Sequence, residues 1–174
     1  MSYPAIEVAN ELIARHGANG NIDPMKLQKL LYFANGWWLA LIGRPLITEP
    51  PQVWRYGPVF KPIYHSFSKY GRSAIRQPEP ATPLGGAPLR IPPNAPDAQK
   101  IQQLLDWIMG EYGWKSGPAL SDETHRPGTP WRNIAERNNF QVSENQVIPA
   151  WEDWQYFSEL ARARGYQPAP IAAA

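Results

Sequence analysis

The chain has 174 residues, a length typical of one domain with a substantial hydrophobic core. Its 17 Lys and Arg residues barely exceed its 15 Asp and Glu residues, and this near-neutral balance argues against a large electrostatic surface for nucleic acid. The sequence contains no cysteine, which excludes disulfides, thiolate metal ligands and cysteine catalysis.

The N-terminal segment predicts a first helix and no export signal. Tyr3-Pro4 opens this helix, since proline is tolerated in a first turn, and Gly17 is expected to end it. The segment carries acidic residues and has no apolar signal core, and no apolar run of the chain reaches the length of a membrane span. We therefore expect a cytoplasmic protein that has no membrane partner.

The most distinctive predicted element is a central apolar helix from Asp23 to Ile42. Asp23 supplies an N-cap acceptor, Pro24 suits the first helical position, and Gly43 followed by Pro45 ends the helix. Apolar residues recur on and beside one stripe at helical spacing: Leu27, Leu30, Leu31, Phe33, Ala34, Trp37, Trp38 and Leu41. A helix that is apolar around more than half its circumference should lie in the middle of the domain.

After the central helix, the sequence predicts a small β element and another helix. The residues from Val53 to Tyr56 suit a pleated surface, because β-branched and aromatic residues are enriched in strands. Pro58 and Pro62 then precede a helix expected over residues 63–70, which Gly71 would end.

Residues 77–96 are predicted to form a proline-rich belt, because seven of the twenty prolines lie there and no regular element can run through them. Only residues 89–91 suit a short strand. Gly85-Gly86 lacks the strand, helix and Lys-Ser/Thr of a phosphate loop. The belt divides the chain into halves that are each small for an independent core, so we expect one domain over residues 1–174 with a linker inside it.

Beyond the belt, apolar spacing and turn residues predict four more helices: one between Pro96 and Gly113, one near residues 119–125, one over residues 131–138, and one between Pro149 and Gly165. Val147 and Ile148 are candidates for strand pairing, and residues 166–174 are expected to be a frayed tail. The predicted fold class is therefore mainly α, a single compact domain of about six helices around the central one.

The sequence does not present a recognisable catalytic constellation. His16, His65 and His125 are scattered over three elements and lack the spacing of metal ligands. Ser121, Asp122 and His125 lie close in sequence, but neighbours on one short helix cannot place a nucleophile, a base and an orienting group in line. We therefore expect no catalytic, cofactor-binding or metal-binding residues.

The surplus of aromatic residues is the feature most typical of a binding protein. The chain has eight Trp and eight Tyr residues, and these types, together with Arg, carry much of the binding energy at protein interfaces. We expect Trp37 to expose one side of its ring. The predicted partner-binding residues are aromatic anchors with a charged rim: Trp37, Trp54, Arg55, Tyr56, Lys69 and Arg72.

Motifs along most of the chain occur in an order and spacing that mark a known family. They are KLQKLLYFANGWWLALIGRPL (26–46), VWRYGPV (53–59), Pro62 with Tyr64, Phe67 with Tyr70-Gly71, Tyr112-Gly113, Leu120-Ser121-Asp122 with Thr124-His125, and Pro130-Trp131. From about residue 5 to 162, the chain resembles the Panacea domain, the SocA-like antitoxin family, which has also been described as phage-associated or GepA-like.

The resemblance implies a non-enzymatic antitoxin that neutralises a cognate toxin by direct protein–protein binding. We expect the mechanism to be occlusion, in which the aromatic residues cover the active surface of the toxin. SocA-type members also resemble proteolytic adaptors, so an alternative is delivery of a bound toxin to the ClpXP protease. Two hypotheses from other classes stay open. One is a small hydrolase or nucleotide-binding enzyme that uses Asp122 and His125. The other is a nucleic-acid binder that uses Lys26, Lys29 and Arg44, although the near-neutral charge argues against direct binding of nucleic acid.

Overall fold

A computed structural model describes residues 1–143 and 145–172, and within them the chain forms seven α-helices and one two-stranded sheet. The elements in chain order are α1 (Ala5–His16), α2 (Pro24–Ile42), β1 (Gln52–Trp54), β2 (Gly57–Val59), α3 (Lys61–Phe67), α4 (Ala98–Tyr112), α5 (Gly117–Thr124), α6 (Pro130–Arg137) and α7 (Ala150–Ala163). The predicted mainly α fold class is confirmed. None of these described helices has the length and hydropathy needed to cross a membrane.

Helix α2 is the central element, and its ends follow the predicted caps. The Asp23 side chain accepts a hydrogen bond from the Lys26 backbone N–H at 2.9 Å, and Gly43 ends the helix with a φ of 82°. Helices α3, α4, α5 and α7 and strand β2 all pack against α2. Residues 26–40 are consequently all buried, including the polar ones.

Strands β1 and β2 form an antiparallel hairpin with a two-residue turn. Gln52 lies opposite Val59, and Trp54 lies opposite Gly57. The β element predicted between Val53 and Tyr56 is therefore present, but the first strand ends at Trp54 because the next two residues form the turn.

The far side of β1 contacts the segment that precedes α7. Gln52 forms a single antiparallel bridge with Val147, and the Ile148 N–H donates to the Pro51 carbonyl at 2.8 Å. The predicted pairing of Val147 and Ile148 is thus limited to an isolated bridge. Glu144 lies outside the described residues.

The structure describes all of the proline-rich segment 77–96, and this segment contains neither a helix nor a regular strand. Asn10 of α1 holds it in two places, since its side chain accepts from the Glu79 N–H at 2.9 Å and donates to the Leu89 carbonyl at 2.9 Å. The short strand expected at residues 89–91 is not formed, because this carbonyl bonds to a side chain instead of a neighbouring strand.

Residues 166–172 lie against α2, so the expectation of a frayed tail is wrong for them. The Ala169 N–H donates to the Ala40 carbonyl at 2.9 Å, and the Trp154 indole N–H donates to the Ala169 carbonyl at 2.9 Å. Gly43 permits this approach, because a Cβ there would lie 2.2 Å from the Pro170 carbonyl oxygen. Ala173 and Ala174 lie outside the described residues.

Candidate partner-binding site

A cleft of about 600 Å³ lies between α2, the β1–β2 hairpin and α3. Aliphatic side chains form much of its wall: Met25, Val53, Val59 and Ile63. Trp54, Arg55, Tyr56 and Tyr64 also line it.

Two of the lining aromatic rings are open to solvent. Tyr56 is 58% exposed and Tyr64 is 47% exposed, although both side chains are large and partly apolar. The Trp54 ring packs on the Tyr64 ring with their centres 4.9 Å apart, and the Arg55 guanidinium lies 5.4 Å from the centre of the Tyr56 ring. The cleft therefore combines an apolar interior with aromatic and cationic groups in contact with solvent.

The backbone of the hairpin turn is held by side chains from distant parts of the sequence. Residues 54–56 present three consecutive carbonyls. The Trp131 indole N–H donates to the first at 2.8 Å, His125 Nε2 lies 3.3 Å from the second, and the Ser121 hydroxyl donates to the third at 2.8 Å. These contacts come from α5, the residue that follows it, and α6.

Helix α2 holds the other end of the hairpin. The Gln28 side chain forms two hydrogen bonds with Phe60, accepting from its N–H at 2.9 Å and donating to its carbonyl at 3.1 Å. Lys29 Nζ donates to the Pro58 carbonyl at 3.0 Å. Both side chains also line the cleft, so α2 fixes the hairpin and forms part of its wall.

Lys29 is an unusual residue for this position, because it is only 1% exposed. Its burial lowers the pKa of the ammonium group from about 10.5 to about 7. Burial therefore favours the uncharged amine, which still donates a hydrogen bond to the hairpin.

Gly57 allows the hairpin to approach α2 and α5 closely. Its φ of 103° is rarely adopted by other residues. A Cβ at this position would lie 2.6 Å from Thr124 Oγ1 and 2.9 Å from Lys29 Nζ. Both conditions favour glycine, so backbone conformation and packing explain the glycine of the Tyr-Gly-Pro motif.

The structure brings three of the six predicted binding residues together. Trp54, Arg55 and Tyr56 all line the cleft. Arg72 is exposed and follows Gly71, another lining residue. Lys69 is exposed but pairs with the Glu79 carboxylate of the proline-rich segment. The binding role of these residues stays a prediction.

The expectation that Trp37 exposes one side of its ring is wrong. Trp37 is 0% exposed, its indole N–H donates to the Tyr112 hydroxyl at 2.9 Å, and its ring contacts those of Trp107 and Phe157. The reason is that α4 and α7 both pack against α2, so that Trp107 of α4 and Phe157 of α7 cover the Trp37 ring. Trp37 is part of the core.

The residues of the hydrolase hypothesis do not face each other in a cleft. Both His125 ring nitrogens face backbone carbonyls, with Nδ1 at 2.6 Å from the Ser121 oxygen. The His125 ring packs against Trp131 at an interplanar angle of 53°, with the centres 3.8 Å apart. Asp122 is exposed. His125 therefore acts as a support for the hairpin turn.

The three basic residues proposed for nucleic-acid binding do not form a basic surface either. Lys26 is 4% exposed and donates to the Gly113 carbonyl, Lys29 is buried beneath the hairpin, and Arg44 pairs with Asp97 at 2.7 Å. Within the described ranges, no three His, Asp or Glu side chains are grouped so that they could hold a metal ion.

The family of this chain is established by comparison with known proteins. The sequence profile described as "Antitoxin SocA-like, Panacea domain" matches residues 27–132. The chain belongs to the SocA-like Panacea family, and the matched residues include the hairpin, α3, α5 and Trp131, which form or support the cleft.

A particular relative is a protein named Antitoxin SocA from Caulobacter vibrioides (strain NA1000 / CB15N). The two sequences are 34% identical over 136 residues, which cover 77% of this chain and 71% of that protein. No solved structure matches the chain.

Proposed function

We propose that this protein is the antitoxin of a toxin–antitoxin pair and acts in the cytoplasm without catalysis. Its proposed partner is a cognate toxin protein, which it neutralises by direct binding and occlusion. Membership of the SocA-like family and the similarity to Antitoxin SocA support the antitoxin role. The proposed contact surface is the cleft, with Trp54, Arg55 and Tyr56 as the principal contacts.

The observation that best supports the cleft as the contact surface is that the backbone of the hairpin turn is held in place by side chains. Side chains of α5 and α6, together with His125, contact every carbonyl of residues 54–56, and α2 holds the residues that follow. A surface that is already ordered loses little conformational freedom on binding, so more of the contact energy appears as affinity. The turn is thus a preorganised platform for its three side chains.

The exposed rings beside the cleft also support a binding role. Tyr56 and Tyr64 lie outside the core, with about half of each residue exposed to solvent. Aromatic side chains next to an apolar depression are typical of the anchors that dominate protein–protein binding energy. Arg72 is proposed to add a contact at the edge, where charged residues mainly affect the rate of association and its salt dependence. Lys69 is proposed to have a lesser part there, because its ammonium group already pairs with Glu79.

The proposal is tested by expressing the chain together with the product of the adjacent gene, the candidate toxin. We expect growth to be rescued and the two proteins to elute as one complex. The antitoxin role is rejected if the chain neutralises no neighbouring gene product.

The same cells separate occlusion from delivery to a protease. Occlusion predicts that the toxin is neutralised and equally long-lived in cells with and without ClpXP. Neutralisation that requires ClpXP, with rapid loss of the toxin, would support the adaptor alternative instead.

A further inference from the structure

The segment that forms the hairpin and α3 has a one-sided charge. Between Glu49 and Glu79 there is no acidic residue, whereas the same segment contains five basic ones: Arg55, Lys61, Lys69, Arg72 and Arg76. The rest of the chain carries more acidic than basic residues. The small overall positive charge is therefore concentrated in the part of the chain that walls the cleft.

Three of these basic residues lie at or next to the cleft. Arg55 lines it, Lys61 lies three residues before the lining residue Tyr64 on the same helix, and Arg72 follows the lining residue Gly71. Residues three apart in a helix lie on the same side, so Lys61 and Tyr64 are neighbours. The other two are engaged elsewhere.

The other two basic residues, Lys69 and Arg76, already have partners within the chain. Lys69 pairs with Glu79, and the Arg76 guanidinium donates to the Ala18 carbonyl at 3.0 Å. In the part of the chain that the structure describes, every ion pair uses basic groups other than those of Arg55, Lys61 and Arg72. These three charges are therefore available to a partner.

We infer that the toxin segment bound in the cleft is an acidic one, in which an apolar side chain is flanked by Asp or Glu residues. This inference rests on the proposed function and adds the chemistry of the partner to it. The apolar side chain would enter between Val53, Val59 and Ile63. The flanking carboxylates would meet the cationic groups outside, where arginine can bind both oxygens of a carboxylate at once.

An acidic protein segment fits the cleft better than a single-stranded nucleic acid does. Nucleic-acid bases need an open aromatic face on which to stack. Trp54 and Tyr64 instead pack against each other at an interplanar angle of 56°. The exposed Tyr56 ring has the Arg55 guanidinium over it, 5.4 Å from its centre, and the interior of the cleft is largely aliphatic. One acidic residue, Asp23, precedes the lining residue Pro24 but does not itself line the cleft. Its carboxylate is used as the N-cap of α2, where it accepts a hydrogen bond from the Lys26 N–H.

Three fluorescein-labelled probes test the inference by fluorescence anisotropy on the whole chain. Two are peptides with the same Leu-Trp-Leu centre, one flanked by Asp and Glu and the other by Lys, and the third is a single-stranded oligothymidylate. We expect the acidic peptide to bind about tenfold or more tightly than the basic one, and to bind more weakly as salt is added. Equal affinity for the two peptides, no binding of the acidic peptide, or preferential binding of the oligothymidylate would overturn the inference.

Two pairs of charge-reversing substitutions test whether the preference for the acidic peptide arises at the cleft. Arg55→Glu with Arg72→Glu should abolish the preference for the acidic peptide. Lys100→Glu with Arg162→Glu makes the same change in net charge at exposed positions on α4 and α7 and should leave the preference intact. Equal loss in both double variants would show a non-specific effect of net charge and would contradict the proposed site.

The co-expression assay separates this inference from the proposed function. If the wild-type chain neutralises the adjacent gene product but shows no preference for the acidic peptide, the charge inference fails and the antitoxin role stands. If the acidic peptide binds as expected but no neighbouring product is neutralised, the antitoxin role fails and the acidic-ligand site stands.

Discussion

We propose separable roles in binding and in folding for single residues at the hairpin turn. Trp54, Arg55 and Tyr56 direct side chains to the cleft, whereas Gly57 and Lys29 fit the hairpin against α2. The two groups should therefore respond differently to substitution.

Trp54→Ala should weaken toxin binding by about 2 kcal/mol or more, because truncation of an aromatic anchor at an interface removes a large contact. Isothermal titration calorimetry with the co-expressed toxin measures this loss. Trp114→Ala is the matched control, since Trp114 is 76% exposed and does not line the cleft. Unchanged affinity of the Trp54 variant would refute the placement of the anchor.

Gly57→Ala should lower the free energy of unfolding by about 1–3 kcal/mol, because a left-handed φ and close neighbours both oppose a Cβ. Gly110→Ala provides a contrast, since Gly110 lies within α4 and a Cβ there would meet no atom within 4 Å. Alanine should stabilise that helix by about 0.5–1 kcal/mol. Urea denaturation measures both changes, and equal effects of the two substitutions would contradict this account of Gly57.

The burial of Lys29 could not have been predicted from its local sequence. A lysine next to an apolar stripe ordinarily points to solvent, and the contact that explains its burial is a carbonyl 29 residues away. Trp37 is different, because its burial follows from the prediction that α2 is covered on several sides. The large number of Trp and Tyr residues did not by itself indicate which of their side chains are exposed to solvent.

At the scale of elements, the hairpin is held by helices that are distant in the sequence. Residue separations of 65 for Ser121 and 77 for Trp131 join α5 and α6 to the turn. Caps and apolar spacing predicted most of the helices, since those signals are local. The contacts that position the turn are long-range, and a single sequence does not display them.

Ser121→Ala should weaken both folding and toxin binding by about 1–2 kcal/mol, because the Tyr56 carbonyl loses its side-chain donor and the turn loosens. Thermal or urea unfolding and calorimetry measure the two effects. Asp122→Ala, at the exposed neighbouring position, should change neither. If the Asp122 variant abolished function while folding normally, the enzyme hypothesis would regain support.

At the scale of the whole molecule, two ionisable side chains buried against or within α2, Asp153 and Lys29, contribute to the pH dependence of the free energy of unfolding. Asp153 of α7 is 1% exposed and accepts a hydrogen bond from the Tyr32 hydroxyl at 2.6 Å. Burial raises the pKa of its carboxyl group from 3.8 to about 8; the neighbouring Glu152 also raises it, and the Tyr32 hydrogen bond opposes the increase. Lys29 shows the opposite shift, because its burial lowers its pKa to about 7.

The two shifts give opposite dependences on pH. Between about pH 4 and 8 the unfolded chain releases the Asp153 proton and the folded chain retains it, so this group makes stability fall as pH rises. The lowered pKa of Lys29 makes stability rise with pH from about 7 to 10. Between about pH 4 and 7, therefore, Asp153 is the dominant contributor of these two.

Asp153→Asn keeps an acceptor for Tyr32 but cannot ionise. The free energy of unfolding of the variant, relative to the wild type, should therefore increase steadily from about pH 4 to 7. Denaturation at several pH values measures this difference, with Asp122→Asn as the exposed control. A difference that is constant over this range would contradict the raised pKa of Asp153.

The central claim is that the toxin covers the cleft beside the hairpin turn. Hydrogen–deuterium exchange of the antitoxin, alone and in complex with its toxin, tests this most directly. We predict that new protection on binding is concentrated in residues 52–72. Protection confined to another surface, such as the groove of about 320 Å³ that includes Trp107 and Tyr166, would contradict the claim.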